Sequence, residues 1–479
     1  MSGQGESVAK SEVAPPTLRL PFVRRFLKRF AGLVVDVFYR RVDLVGSPPA
    51  PDRAAILAVN HTNGLADSVV IVGRAPAFPR FLAAASWWKF APARWLFDLA
   101  GVLPVHRQRE GEDTRENTSS FAACEEALSE GAQIAIHPEG EMHPGIALLP
   151  LRTGAARIAL AAAAGATPDL VVVPYAIVYE DRGRFRSDAA LNIGAPLSVA
   201  AWVDGYRQDP ESAVRDLTEA IAGGLRSVTA NHESAHGASV VDAAAVLALR
   251  AADEPAERES GYGRRHELIR RLAVAVDAGG GETGESFCEL EAAVDAHRGD
   301  LRALGVEPGD WRPVLEPFPA DERDRRAREL GALTPAALVG AVLNAPVASG
   351  LAVASRFVRG EGWQATTKGA LGVVLAPIVW GVEAATLARI TGRRSLSVIV
   401  VMVGAPLGGW ALLAWLERWK VLRASAWRER IARRDPAALE AALASRARVG
   451  VVVESILANC PDGDHSAVRS PIVIAPEET

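Results

Sequence analysis

Cysteine is scarce in this sequence. Cys124, Cys288 and Cys460 are the only three in 479 residues, and they stand far apart. That spacing excludes a disulfide framework and a cysteine-based zinc site, and a reducing compartment is the simplest reading. Lysine is also rare. Lys10, Lys28, Lys89, Lys368 and Lys420 are the only lysines among 53 basic residues, which we read as codon usage and not as function. An excess of positive charge is missing. The formal net charge is −4, so no global field argues for nucleic acid. The opening MSGQGESVAKSEVAPP lacks the apolar core of a secretory signal. The Gly-x-Ser-x-Gly elbow of a serine hydrolase is absent. What is abundant is apolar: 49% of residues are hydrophobic and 23% charged, which excludes wholesale disorder and supplies a large core. At ~100–200 residues per domain, there is room for two to four units.

Patterning divides the chain. Residues 1–18 are polar with Gly, Ser and Pro and are expected to be a disordered tail. Over 19–40, Phe22, Phe26, Leu27, Phe30, Leu33 and Val34 recur at helical spacing, with Arg24, Arg25, Lys28 and Arg29 on the other side. This is a basic amphipathic helix, suited to a membrane surface or to packing on a core. Over 41–202, strand-like runs (AAILAV, QIAIH, LVVVPYAIVY) alternate with helical stretches closed by Gly. That alternation predicts an α/β fold with a mixed or parallel sheet flanked by helices. Residues 203–345 read as a helical region, with DAGGGETGES as a loop inside it. Over 346–435, Gly369–Ala388 and Ser397–Leu416 each reach the ~20 apolar residues of a membrane span. Glu383 inside the first, and three Arg in the short connection, set a spanning hairpin against a re-entrant pair or a buried soluble hairpin. Residues 436–479 are expected to be a helix and a polar tail.

The chemistry concentrates in AILAVNHTNGLADSVVI, where a strand ends near His61 and five residues separate it from Asp67. Histidine titrates closest to neutrality and suits proton abstraction from a hydroxyl. A carboxylate on its other ring nitrogen fixes the tautomer and stabilises the imidazolium. Downstream, GVLPVHR places Arg107, a natural phosphate partner, just past a short strand. IHPEGEMH then ends another strand in a turn carrying Glu139 and Gly140, and LVVVPYAIV follows as a buried strand.

These four blocks in this order resemble the glycerophospholipid acyltransferase family, which includes glycerol-3-phosphate and lysophosphatidic acid acyltransferases. Its usual blocks are NH, four residues, Asp; a Gly and apolar run ending in Arg; FPEGTRS; and a Val-Pro strand. Here they read NHTNGLAD, GVLPVHR, IHPEGEMH and VVVPY, within about residues 40–200. The longer His-to-Asp gap and the missing Thr-Arg-Ser are similar to a fungal branch acting on glycerol-3-phosphate and dihydroxyacetone phosphate. In that branch the blocks are like HANQFVD and FPEGxSH. His143 matches its His, while Met142 and His137 depart from Ser and Phe. The branch also carries apolar helices after its catalytic domain.

The resemblance implies an O-acyltransferase of phospholipid synthesis. His61 would be the general base and Asp67 its orienter. Arg107 would bind the acceptor phosphate, and Glu139 and Gly140 would help hold the glycerol part. The acceptor would be glycerol-3-phosphate, dihydroxyacetone phosphate or lysophosphatidate. Acyl-CoA or acyl-carrier protein would be the co-substrate, with no cofactor and no metal. The expected partners are membrane lipid, the acyl donor and a small phosphorylated acceptor, with no nucleic acid. The catalytic domain would lie on the cytoplasmic side of a membrane. Trp87, Trp88, Trp95 and Phe97 would meet lipid, line an acyl groove or pack in the core. Two alternatives stand beside this reading. His232-Glu233-Ser234-Ala235-His236 is an HExxH string that would suit a zinc hydrolase on a helix, with Glu254, Glu257 or Glu259 as a third ligand. A non-catalytic lipid-binding protein is the other. Gly279–Ser286 has P-loop glycine spacing, but Glu285 stands where the Lys is needed, so a nucleotide site is rejected.

Overall fold

The computed structural model describes residues 21–105, 117–143, 146–251, 261–306, 320–358 and 361–459. The tail expected over 1–18, and Arg107, lie outside them.

Helix α1 (Pro21–Phe38) leads into β1 (Arg41–Val45) and β2 (Ala55–Val59). Then come α2 (Leu65–Arg74), β3 (Arg80–Ala84), α3 (Ala91–Ala100), β4 (Leu103–Val105), α4 (Asn117–Ser129), β5 (Gln133–Ile136) and α5 (Gly154–Ala164). Strands β6 (Val171–Tyr179), β7 (Asp188–Ile193) and β8 (Leu197–Ser198) complete one sheet in the order β1-β7-β6-β2-β5-β3-β4, with β8 on β6. The central pairs β6/β2, β2/β5 and β5/β3 are parallel, and β6/β7 is antiparallel. This is the mixed sheet predicted from the alternation. Strands β2 and β5 are buried at every position, which explains their continuous apolar runs.

Each face of the sheet is covered. On one, α4, α5, α6 (Ala200–Gln208) and α7 (Pro210–Arg226) close over Ile56, Ala58, Ile134 and Val172. On the other, α1 and α2 close over Leu57, Val59, Val173 and Tyr175. Helix α1 uses Ala31, Val35 and Phe38 for this, and a second stripe of Phe22, Phe26, Phe30, Leu33 and Val37 faces outward. One stripe of this helix therefore packs on the core and the other is left free.

Beyond the sheet, α8 (Ala235–Ala251), α9 (Tyr262–Ala278) and α10 (Glu285–Ala303) form a second apolar cluster. Helix α14 (Pro436–Ala458) returns to complete it through Val449, Val453 and Ile456. Between α10 and α14 run α11 (Ala320–Ser355), α12 (Glu361–Thr391) and α13 (Arg394–Arg434). The expected pair is thus a trio among the described residues, and the boundary drawn at 345/346 falls inside α11. The charged opening ADERDRRAREL and the Pro, Asn and Ser that follow mask the apolar stretch of this helix in the sequence.

All three are long and apolar enough to cross a membrane. Only 6% of the apolar window in α12 and 22% of that in α13 is buried among the described residues, so the chain itself leaves most of this pair uncovered. Glycines mark close contacts inside the trio. A Cβ on Gly340 of α11 would fall 1.9 Å from the Gly408 carbonyl oxygen of α13, so the two backbones touch there. Asn344 Nδ2 donates to the Ala405 carbonyl at 2.9 Å across the same contact.

Candidate active site

Parallel strands that end side by side create a crevice at their carboxyl ends. Here β2, β5 and β6 do so. Ala58 pairs with Ile136 on one side and Pro174 on the other, so His61 and His137 leave neighbouring strands together. Strand β6 runs on past the end of β2. The Asn60 side chain fills the gap, accepting from Ile177 N at 2.8 Å and donating to Ile177 O at 3.1 Å.

Gly64, at φ +59°, turns the chain into α2 in the left-handed region that favours glycine. Asp67 sits in the first turn of α2, where the helix dipole favours negative charge. Its Oδ2 accepts Thr62 N–H at 3.0 Å, Asn63 N–H at 2.9 Å and His61 Nδ1 at 3.0 Å. Its Oδ1 accepts the Tyr179 hydroxyl at 2.6 Å. Asp67 has no exposed surface, whereas the His61 side chain keeps 18%. Burial alone would raise the Asp67 carboxyl. The hydrogen bond and charge of His61, then His137 and Tyr179, outweigh burial and hold it below the usual carboxylate range. The charge of Asp67 adds to burial in pushing the Tyr179 phenol well above its ordinary value, so it stays a donor. Against an ionised carboxylate a neutral His61 donates from Nδ1 and carries its lone pair on Nε2.

His137 lies beneath His61, ring centroids 4.1 Å apart and planes 21° apart. Its Nδ1 faces the carbonyls of Val59 at 3.2 Å and Asn60 at 3.0 Å, so that nitrogen carries the proton. Burial first, and the neighbouring His61 second, push its pKa down to about 4, so it is neutral near pH 7. A flat ring thus still supports His61 where the resembled family has Phe.

Glu139 was expected to hold the glycerol part of the acceptor. It is 2% exposed, and the protein occupies both oxygens. Oε1 accepts His61 N–H at 2.9 Å; Oε2 accepts Leu149 N–H at 3.0 Å and meets His143 Nε2. His143 N–H in turn donates to the His61 carbonyl at 3.1 Å. Glu139 therefore fixes the backbone that carries His61, and the match of His143 acquires a structural reason. Gly140, at φ +74°, makes the turn, and a Cβ there would fall 3.0 Å from Arg152 Cγ. The sequence reading missed Tyr179 and noted His137 only as a departure from the family's Phe. The period of two in VVVPYAIVY puts Tyr175 and Tyr179 on one face, but nothing in the sequence says which strand lies beside β6.

The aromatic stretch is not core. Trp87, Phe90, Trp95 and Leu96 are exposed, and Trp88 and Phe97 are only partly covered. The HExxH string does not form its helical pair. Helix α8 starts at Ala235, leaving His232 and Glu233 before it, and His236 Nε2 pairs with Glu291. Among the described residues no group of three His, Cys, Asp or Glu side chains could hold a metal ion. Glu254, Glu257 and Glu259 lie outside them.

Residues 41–178 match the family described as Acyltransferase. The chain is 35% identical over 131 residues to glycerol-3-phosphate O-acyltransferase 2 of Saccharomyces cerevisiae, covering 27% of this chain and 18% of that protein. It is 36% identical over 109 residues to glycerol-3-phosphate O-acyltransferase 1 of the same yeast, covering 22% and 14%. The chain thus spans less than a fifth of the length of these relatives. The solved 1-acyl-sn-glycerophosphate acyltransferase of Thermotoga maritima superimposes with a TM-score of 0.31 at 19% identity, over 43% of this chain and 80% of that one.

Proposed function

We propose, from the match of residues 41–178 to the Acyltransferase family, that this chain is a glycerolipid O-acyltransferase acting on a phosphorylated glycerol-type acceptor. The observation that carries the proposal is the buried, four-bonded Asp67 carboxylate set 3.0 Å from His61 Nδ1. His61 Nε2 takes the proton of the acceptor hydroxyl as its oxygen attacks the thioester carbonyl of acyl-CoA or acyl-carrier protein. The tetrahedral intermediate collapses, the C–S bond breaks, and the imidazolium returns its proton to the leaving thiolate. The new ester forms directly, with no acyl-enzyme. Asp67 stabilises the charge that develops on His61, and stacked, neutral His137 keeps that ring in place. Arg107 takes the acceptor phosphate. Arg152, exposed across Gly140, adds a cation beside the same turn. No cofactor takes part.

We place this chemistry at a membrane surface. The outward stripe of α1, the exposed Trp95 and Phe90, and three helices long enough to span support that setting. The cytoplasmic side is proposed for the catalytic domain.

The test is acyl transfer by detergent-solubilised protein. Palmitoyl-CoA and an acyl-carrier protein donor are each offered with glycerol-3-phosphate, dihydroxyacetone phosphate and lysophosphatidate. Transfer to one of these, reduced ~10²–10⁴-fold in His61→Ala, is expected. Transfer unaffected by that substitution removes His61 as base. No transfer from either donor leaves the lipid-binding alternative.

A further inference from the structure

The first turns of α12 reach the catalytic loop. Thr366 Oγ1 donates to the Asn63 carbonyl at 3.2 Å, 303 positions away in sequence. The same hydroxyl lies 3.4 Å from Ala66 N–H, which also donates to the Asn63 carbonyl at 3.2 Å. Asn63 and Ala66 bracket the Gly64 turn, and Asn63 N–H is one of the donors to Asp67 Oδ2. The helix is seated by its neighbours. Ala365 is buried in the core with Val35 and Tyr39, Trp363 lies against Trp87 at 6.3 Å, and Lys368 Nζ donates to the Gly183 carbonyl at 2.6 Å. The candidate span of this helix begins at Trp363. One helix therefore touches the loop between His61 and Asp67 and, from the same turn, enters the apolar stretch.

We propose that Thr366 is a positioning residue for the His61–Asp67 pair, supplied by the apolar helices and not by the acyltransferase-family segment. The inference rests on the acyl-transfer reading for its kinetic arm only. Its physical content is that Thr366 holds the Asn63 peptide, and that this peptide aims an N–H at Asp67. Without the hydroxyl, the Asn63 carbonyl loses a partner and the loop gains freedom. Small misplacement of a catalytic pair lowers turnover more than it weakens substrate binding. The site is thereby tied to the membrane boundary.

The experiment uses the full chain in phospholipid nanodiscs. Thr366→Val keeps the shape and removes the hydroxyl; Thr366→Ser keeps the hydroxyl. Kinetics with the donor and acceptor that the acyl-transfer assay identifies are measured beside hydrogen exchange of the 61–68 segment. Thr366→Val is expected to lose about tenfold in kcat, with KM for both substrates within about twofold and faster exchange in the segment. Thr366→Ser should stay near wild type in both. If Thr366→Val does not fold, Thr366→Ala carries the same expectations. Wild-type kcat in Thr366→Val, equal losses in Val and Ser, or a change confined to KM overturns the proposal. If wild type transfers no acyl group, exchange alone decides. Faster exchange in Val only would keep the brace while the acyl-transfer reading falls, and unchanged exchange would end the brace as well.

Discussion

In β2 every residue from Ala55 to Val59 is buried, whereas in α12 and α13 Val374, Ile378, Val382, Ile399 and Leu407 face outward. Where α11 and α13 meet, Gly340 and Gly408 bring the backbones together and Asn344 donates to Ala405, with Val347 and Val401 buried on the same two helices. Both regions are rich in Val, Ile, Leu and Ala, so composition does not separate them. Orientation does. In water, large apolar side chains gain by mutual burial, at ~25 cal/mol per Å² removed from solvent. Against hydrocarbon that gain vanishes, and close backbone approach with interhelical hydrogen bonds holds helices together instead. The sheet is built for the first solvent, and the outward side chains of the α11–α13 trio fit the second.

Substitutions that behave alike in both regions would break this contrast. The largest effect is expected from Ile56→Ala, which opens a cavity under α5 and should destabilise the α/β domain by ~2–5 kcal/mol in denaturant unfolding. Next is Gly408→Leu. Its side chain would collide with Gly340 of α11, whose backbone already stands within 2.7 Å of a Cβ at this position. A loss of ~1–3 kcal/mol, read as a lower melting temperature of the helical trio in nanodiscs, is expected. The smallest belongs to Ile399→Ala. This side chain faces outward, so less than about 0.5 kcal/mol is expected in nanodiscs. A cost equal to that of Ile56→Ala would mean that α13 packs on protein and not on lipid.

A pH dependence sharpens the contrast from the side of the sheet, where an ionisable ring is buried beside the His61–Asp67 pair. His137 has its pKa pushed from 6.5 to about 4, by burial first and His61 second. Between those values the unfolded chain binds a proton that the folded chain refuses. Stability should therefore fall as pH drops from about 6.5 towards about 4. His137→Phe keeps the stacked ring and removes the proton, so the slope in that window should become shallower by one group's share, His266 and His297 keeping theirs. An unchanged slope would assign it to other groups. Asp67 acts lower: its depressed pKa contributes stability above the ordinary carboxylate range, and that contribution is lost as pH falls through its folded value.

Much of the site was legible because its residues are local. His61 and Asp67 share one loop, and a strand ending before a Gly-containing turn is a short-range pattern. The alternation of buried runs with helices likewise predicted the mixed sheet. Glu139 was legible as a residue that matters but not as to what it does. Its partners, His61 N–H and Leu149 N–H, come from another strand end and from further along its own loop. Helix α11 escaped because hydropathy averages along the chain, and its charged first turns diluted its apolar second half.

From its amino-acid sequence alone this protein determined which residues could abstract a proton, the order of the four blocks, and the length of its apolar stretches. These are matters of side-chain chemistry and neighbour-to-neighbour periodicity. Only the tertiary structure decided that Tyr179 donates to Asp67 from 112 positions away, that His137 lies under His61, and that Thr366 reaches the loop from 303 positions away. Those contacts follow from which strands lie side by side and where a distant helix docks. That choice is made by burial summed over the whole chain, and no local window contains it.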